Sequence, residues 1–267
     1  MILASIALLA TTAQALKPIT RRTLATAPAA IALPAGATFV ERRGSPEFIE
    51  RELRLPTLKR TMTLTQAFGA ARGAAKDAPD AGDRTGTYGW PGGDSLAYYL
   101  ARHPEIVKKK RILELGCGTG AVGCFAAALG ATSVALTEGG SDALRRIAAK
   151  NVAANADLFA TENVTVAPLS WGAAFDGAAD VVVGSDITYD RDSHDRLCAT
   201  LASLLAPEGS VALLAHQHRR FASVLSGGSQ LDHFLDAARD AGLDVDEAHV
   251  DASANALAPV TILRVAR

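Results

Sequence analysis

Three glycines at alternate positions, Gly116, Gly118 and Gly120, follow a short apolar run in RILELGCGTGAVGCFAAALGA, residues 111–131. Glycines placed after a strand let the backbone turn tightly and approach a ligand, and the next helix offers free N–H groups to anionic atoms. That is a seat for a nucleoside cofactor, and the register decides which one. Counted from Gly118 through Gly120 to Gly123, the stretch has the G-x-G-x-x-G spacing of dinucleotide binders. That fingerprint puts its first glycine at the end of the strand. Here the first residue past the strand is Gly116, so Gly116-x-Gly118-x-Gly120 forms the loop. Gly123 then falls within the helix, where close helix–sheet packing explains it. Glu114 would be awkward beside a pyrophosphate and suits a cationic ligand. Glu138 closes the next strand, where a carboxylate accepts hydrogen bonds from both ribose hydroxyls. S-adenosylmethionine, with its ammonium and sulfonium, fits this set; NAD is the poorer alternative.

A second group could act on the acceptor. Asp186 closes the very apolar run VVVGSD, and Tyr189 follows three residues later. The simpler role for Asp186 is to cap the turn after it, as Asp commonly does. The chain has two tryptophans, Trp90 and Trp171. Both fall in loops at strand ends on the side of such a sheet where ligands bind. His216 and His218 flank a strand end and are read as structural. Lys108 to Arg111 form a short basic run, read as a solvated helix end. Cys117, Cys124 and Cys198 lack metal-ligand spacing and read as reduced, buried thiols; no metal site is expected.

The elements that must position these residues alternate past Arg111. Strand signals are ILEL, SVALTE (133–138), VTVAPL (164–169), DVVVGSD (180–186), SVALLAH (210–216), DVDEAHV (244–250) and PVTILRVA (259–266). Helical stretches fall between them at 121–129, 141–155, 193–205 and 230–241. This alternation predicts an α/β fold, a parallel sheet with helices on both faces. Only residues 252–257 separate the last two strands, too few for a parallel crossover, so the last of the seven strands should be antiparallel. Upstream, Asp94 is the expected N-cap of a helix over 95–101. Residues 47–54 read as a helix, 61–64 as a short strand and 74–84 as a polar loop.

With 27 Lys and Arg against 28 Asp and Glu, the chain advertises no nucleic-acid or anionic-membrane partner. No apolar run reaches the roughly 18 residues of a membrane span. The first acidic residue is Glu41. Residues 2–10 are apolar, Ala13-Gln14-Ala15 resembles a cleavage site, and the Ala/Thr-rich, weakly basic composition that follows is typical of import sequences. Residues 1–38 therefore read as a targeting segment, for a plastid or other organelle, or else as a disordered extension of a cytoplasmic protein. Residues 39–267 read as one catalytic domain.

From about Thr85 to Arg267 the chain resembles the seven-β-strand methyltransferases. Within them it resembles the protein-lysine methyltransferase group that includes the valosin-containing-protein lysine methyltransferase. Thr85-Gly86 with Trp90, the stretch LELGCGTG (113–120), LSWG (169–172) and DITY (186–189) carry the resemblance. Arg219 or Arg220, with Phe234-Leu235, resembles the region after strand five. The resemblance implies a Rossmann-like methyltransferase sheet and methylation of lysine side chains on a protein. It also implies cofactor contacts from Trp90, the glycine loop, Glu138 and Trp171, with Asp186 and Tyr189 facing the substrate lysine. The fold often works as a monomer, and a monomer is expected. Two alternatives remain: a small-molecule N-methyltransferase on the same fold, and an inactive cofactor-binding interaction subunit.

Overall fold

The computed structural model describes residues 38–43, 48–54, 61–67, 85–140, 142–218, 229–251 and 259–267. The targeting segment apart from Thr38, the 74–84 loop, Arg219, Arg220 and the 252–257 connection lie outside them. Among the described residues no helix is long and apolar enough to cross a membrane.

The described residues open with a three-stranded antiparallel sheet in the order β1-β2-β3: Thr38–Arg43, Phe48–Arg54 and Met62–Ala67. β2 corrects the helix expected over 47–54. Its Glu, Arg and Leu residues favour helix weakly, and pairing along both edges overrides that preference. The period is two: Arg51 and Leu53 are buried while Glu50 is exposed. The strand expected at 61–64 is present and runs on to Ala67.

The seven strands expected past Arg111 all form. They are β4 (Arg111–Leu115), β5 (Ser133–Glu138), β6 (Val164–Pro168), β7 (Val181–Ser185), β8 (Val211–Gln217), β9 (Asp244–Asp251) and β10 (Val260–Ala266). Their order is β6-β5-β4-β7-β8-β10-β9. β4 to β8 pair in parallel, and β10 enters antiparallel between β8 and β9, as the short last connection required. The order in which successive strands are laid down reverses between β4 and β7, the crevice where ligands bind in open α/β sheets.

Helices cover both faces. Ile112, Val181, Val183 and Leu213 pack with α1 (Pro91–Arg102), α2 (Ala121–Ala128) and α3 (Asp142–Ala154). The alternate residues Leu113, Leu115, Val182 and Leu214 pack with α4 (His194–Leu204) and α5 (Gln230–Asp240). α2, AVGCFAAA, is apolar all round because it is covered on both sides: the small sheet, through Leu53, Met62 and Leu64, packs on Phe125 and Cys124 from behind.

α1 starts four residues before the expected 95–101 span. Pro91 occupies its first position, where the fixed φ favours helix and no N–H is lost. Asp94 lies in the first turn and is not the N-cap. Its carboxylate instead forms a two-pronged ion pair with the Arg51 guanidinium, at 2.7 and 3.0 Å. The small sheet is fastened again by α3. Asn151 and Asn155, one turn apart, each accept from and donate to the backbone of Thr65 and Thr63, at 2.7–3.0 Å. Two amides thus stand in for the missing neighbour strand at the β3 edge.

Candidate active site

The cofactor loop follows β4. Gly116, Gly118 and Gly120 all have positive φ, at 60°, 52° and 77°. Gly118 shows why no side chain fits: a Cβ there would lie 2.8 Å from the Gly86 carbonyl oxygen, in the segment that faces the loop. Glu138, at the end of β5, ties the loop to the next turn. Its two oxygens accept from the N–H groups of Gly118 (3.0 Å) and Gly140 (2.9 Å). Each carboxylate oxygen has a second lone pair, so both retain capacity for a hydroxyl.

Glu114 is buried, 1% exposed, and accepts a 2.8 Å hydrogen bond from the Gly123 N–H in the first turn of α2. Gly123 is there for close approach, as expected: a Cβ would lie 2.7 Å from the Glu114 carboxylate and 2.8 Å from Leu136 Cγ. Burial pushes the Glu114 carboxyl up to about 8, the hydrogen bond from Gly123 opposes this, and the Glu138 charge adds to it. A buried acid held near neutrality ionises readily only when a cation arrives beside it.

Asp186 stands one residue past β7 in the left-handed region, φ 51°, and is 7% exposed. Asp and Asn tolerate that conformation better than other residues with side chains. The Asp186 Oδ2 accepts from the Gly92 N–H at 2.8 Å, satisfying a donor in the first turn of α1. Tyr189 reaches back to the same segment, its hydroxyl 3.2 Å from Thr85 Oγ1. Trp90, half-buried, donates from Nε1 to the Thr85 carbonyl at 2.8 Å and meets Tyr88 edge to face. The front wall, residues 85–94, is therefore bound to β7 through Asp186 and to the small sheet through Arg51–Asp94. A further hydrogen bond runs from the Gly89 N–H to Gln66.

One cleft of about 350 Å³ gathers these residues at the carboxyl ends of β4, β5 and β7. Of the nine expected site residues, eight line it: Trp90, Glu114, Gly116, Gly118, Glu138, Trp171, Asp186 and Tyr189. Gly120 does not. It forms the N-cap of α2, where a Cβ would meet Leu136 at 2.7 Å, so its place is the turn into the helix. Residues not anticipated also line the cleft, including Thr85, Gly140, Ser170, Ile187 and Arg196. Gly139-Gly140 directly after Glu138 was a visible signal for one of them. Thr85, Ser170 and Ile187 lie in the stretches that carry the resemblance; nothing local in the sequence marks Arg196. All three cysteines are buried, unpaired thiols.

The residues present fit the expected methyl donor on three counts. The glycine loop leaves room where side chains would fill it, Glu138 sits at its edge with acceptor capacity, and a buried carboxyl lies at its floor where a cation would relieve its strained ionisation.

Residues 78–226 match the family model described as lysine methyltransferase. Among curated proteins, the calmodulin-lysine N-methyltransferase of Arabidopsis thaliana is 31% identical over 160 residues, covering 58% of this chain and 50% of the relative. The EEF1A lysine methyltransferase 3 of Xenopus tropicalis is 34% identical over 155 residues, covering 57% and 62%. The chain thus spans between half and two thirds of the lengths of these relatives. Among solved structures, the magnesium protoporphyrin IX methyltransferase of Synechocystis PCC 6803, with bound SAH, superposes with a TM-score of 0.51 at 16% identity. That match covers 66% of this chain and 81% of the other, a likeness of fold.

Proposed function

The chain belongs to the lysine methyltransferase family, and we propose on that premise that it methylates lysine side chains of a protein, with S-adenosylmethionine as donor. One observation carries the reading. The glycine loop with Glu114 and Glu138, and the Asp186–Tyr189 turn, open into a single cleft, so donor and acceptor sites adjoin.

When bound, the donor supplies an electrophilic methyl group on a positive sulfonium. The chain supplies the rest. Glu138 would hold the ribose and Glu114 would face the ammonium, while Trp171 and Ile187 wall the loop at Gly116, each within 3.5 Å of where a Cβ would stand. On the acceptor side the obstacle is a proton. A lysine of pKa about 10.4 is almost wholly charged at pH 7, and exposing its neutral form costs about 4–5 kcal/mol. The half-buried aromatic mouth of Trp90, Tyr88 and Tyr189 lowers that cost by desolvation, aided by the positive charge at the donor site. Asp186 accepts a hydrogen bond from the amine and aims its lone pair. Its negative charge opposes loss of the lysine proton, so its work is orientation, worth far more than proximity in solution. Tyr189 lies beside the developing cation.

The test is transfer of labelled methyl from S-adenosylmethionine to a cell extract by the full chain. Label recovered as methyl-lysine in one or a few proteins supports the reading. Label recovered only in free amines favours a small-molecule substrate and overturns it.

A further inference from the structure

The DITY turn is held from beneath by histidines that the proposed chemistry does not use. Thr188 is fully buried and sits between two of them. Its carbonyl accepts from His194 Nε2 at 3.2 Å, and its hydroxyl lies 2.7 Å from His216 Nδ1. His194 opens α4 and is fully buried; His216 is the penultimate residue of β8 and is 4% exposed. Behind His194, its Nδ1 lies 2.9 Å from Nδ1 of His233 on α5, with the Phe234 ring edge-on. Behind His216, the His218 ring stands at right angles, and its Nε2 is 2.8 Å from Thr261 Oγ1.

We infer that His194 and His216 are positioning residues for the Asp186–Tyr189 turn, gripping Thr188 from two elements so that Asp186 and Tyr189 are presented at a fixed separation. This rests on the methyl-transfer reading for its consequence in activity, and on geometry alone for the grip. The proton positions follow from the partners. A carbonyl only accepts, so His194 Nε2 carries hydrogen. Neutral His194 then has a bare Nδ1, and the contact with His233 is a hydrogen bond only if His233 Nδ1 donates. His233 is thereby fixed with its hydrogen on Nδ1 and its Nε2 bare.

The arrangement has a definite response to acid. A proton taken up at His233 Nε2 leaves every bond in place. A proton on His194 can only go to Nδ1, where it sets two N–H groups against each other at 2.9 Å; the Nε2–H bond to the Thr188 carbonyl is kept, and what acid breaks is the seating of the His194 ring against His233. The groups facing His194 are His233 from α5 and Asp190 and Arg191 from the turn. Burial, the largest cause, holds its titration below the ordinary histidine range, and the hydrogen bond to Thr188 opposes this. The His194–His233 contact therefore persists at neutral pH and is lost only on the acid side of ordinary histidine titration, unseating the ring that holds Thr188.

Two variants and one spectrum test this in the full chain. Histidine nitrogen–proton correlation spectra should show His194 as the Nε2–H tautomer and His233 as the Nδ1–H tautomer; the opposite pairing overturns the assignment. His194→Phe keeps the ring and loses the donor. It should exchange the Ile187–Tyr189 amides at least tenfold faster and cut labelled methyl transfer into extract proteins tenfold or more, with S-adenosylhomocysteine affinity within about twofold. His194→Gln keeps an amide N–H for the Thr188 carbonyl and should restore transfer to within about threefold. Because glutamine does not titrate, that variant should also show a shallower acid fall of activity than the natural protein, keeping only the part set by protonation of the substrate lysine. Equal impairment of both variants, or the same acid fall in the natural protein and His194→Gln, shows packing alone and overturns the proposal. Absence of all transfer by the natural protein counts against the functional reading instead, and the tautomers and amide exchange still decide the grip.

Discussion

Glu114 links the buried electrostatics of the cleft to a quantity that can be counted. Its carboxyl is 1% exposed, and burial raises it to about 8. At pH 7 such a group is about nine-tenths protonated. A ligand ammonium at the loop floor favours the ionised form, so binding S-adenosylhomocysteine should expel about 0.9 proton from Glu114. The ligand's own amine is that of a free amino acid, already almost wholly charged at the same pH, so the net release stays about 0.9. In Glu114→Gln, which keeps an oxygen for the Gly123 N–H, that release is lost. The two proteins should therefore differ by about 0.9 proton per site, equivalent to roughly 1.4 kcal/mol of binding energy spent on ionising the acid at pH 7. Calorimetric titrations in phosphate and in Tris, whose ionisation enthalpies differ widely, read the proton count as the change of apparent enthalpy with buffer. The same proton count in both proteins refutes the placement of Glu114 against the ligand's cation.

Further outcomes follow from the same coordinates. In the ligand-free protein the folded state keeps the Glu114 proton up to about pH 8, whereas the unfolded chain loses it near 4.5. Stability should therefore fall as pH rises through that window, and thermal melts should show the natural protein losing ground to Glu114→Gln between pH 5 and 8; parallel melts contradict this. Gly123→Ala should destabilise by about 1–3 kcal/mol in urea unfolding, because the added Cβ overlaps Leu136 and the Glu114 carboxylate. A helix with room at that position would instead gain about 1 kcal/mol from the same change. Asn151→Ala leaves the Thr65 N–H and the carbonyls of Thr65 and Thr119 without that partner. It should cost on the order of 3 kcal/mol and weaken S-adenosylhomocysteine binding, since Thr119 lies in the cofactor loop. A loss of stability with unchanged affinity would separate the small sheet from the site.

What could be read from sequence was local. LELGCGTG and the strand runs around it carry their register in consecutive residues, and the seven strands, their helices and the reversed final strand follow from spacing alone. Eight of the nine residues expected at the site line the cleft, and most of them were picked out because they stand at a strand's end or in the loop after one. The exceptions are contacts between residues distant in sequence. Arg51 and Asp94 are 43 positions apart, and Asn151 and Thr65 are 86 apart. Asp94 looked like an N-cap because Asp before a helical run commonly is one; the ion pair that places it otherwise depends on a sheet that the helix-favouring residues of FIERELR concealed. The bond from Gly92 to Asp186 spans 94 positions, and nothing near either residue in the sequence announces it. His194 had no local signal, and His216 looked structural; the Thr188 between them becomes visible only when α4 and β8 are brought to the same turn.

Asp186→Asn is the measurement closest to the central claim. Asparagine tolerates the positive φ at 186 and keeps an oxygen for the Gly92 N–H, so fold and cap should survive where Ala would disturb both. Labelled methyl transfer from S-adenosylmethionine into extract proteins, compared for the natural chain and this variant, should show one or a few methyl-lysine bands that fade at least a hundredfold. S-adenosylhomocysteine affinity should stay within a few-fold. A variant that keeps full transfer, or one that loses cofactor binding together with transfer, contradicts the assignment of Asp186 to the acceptor lysine.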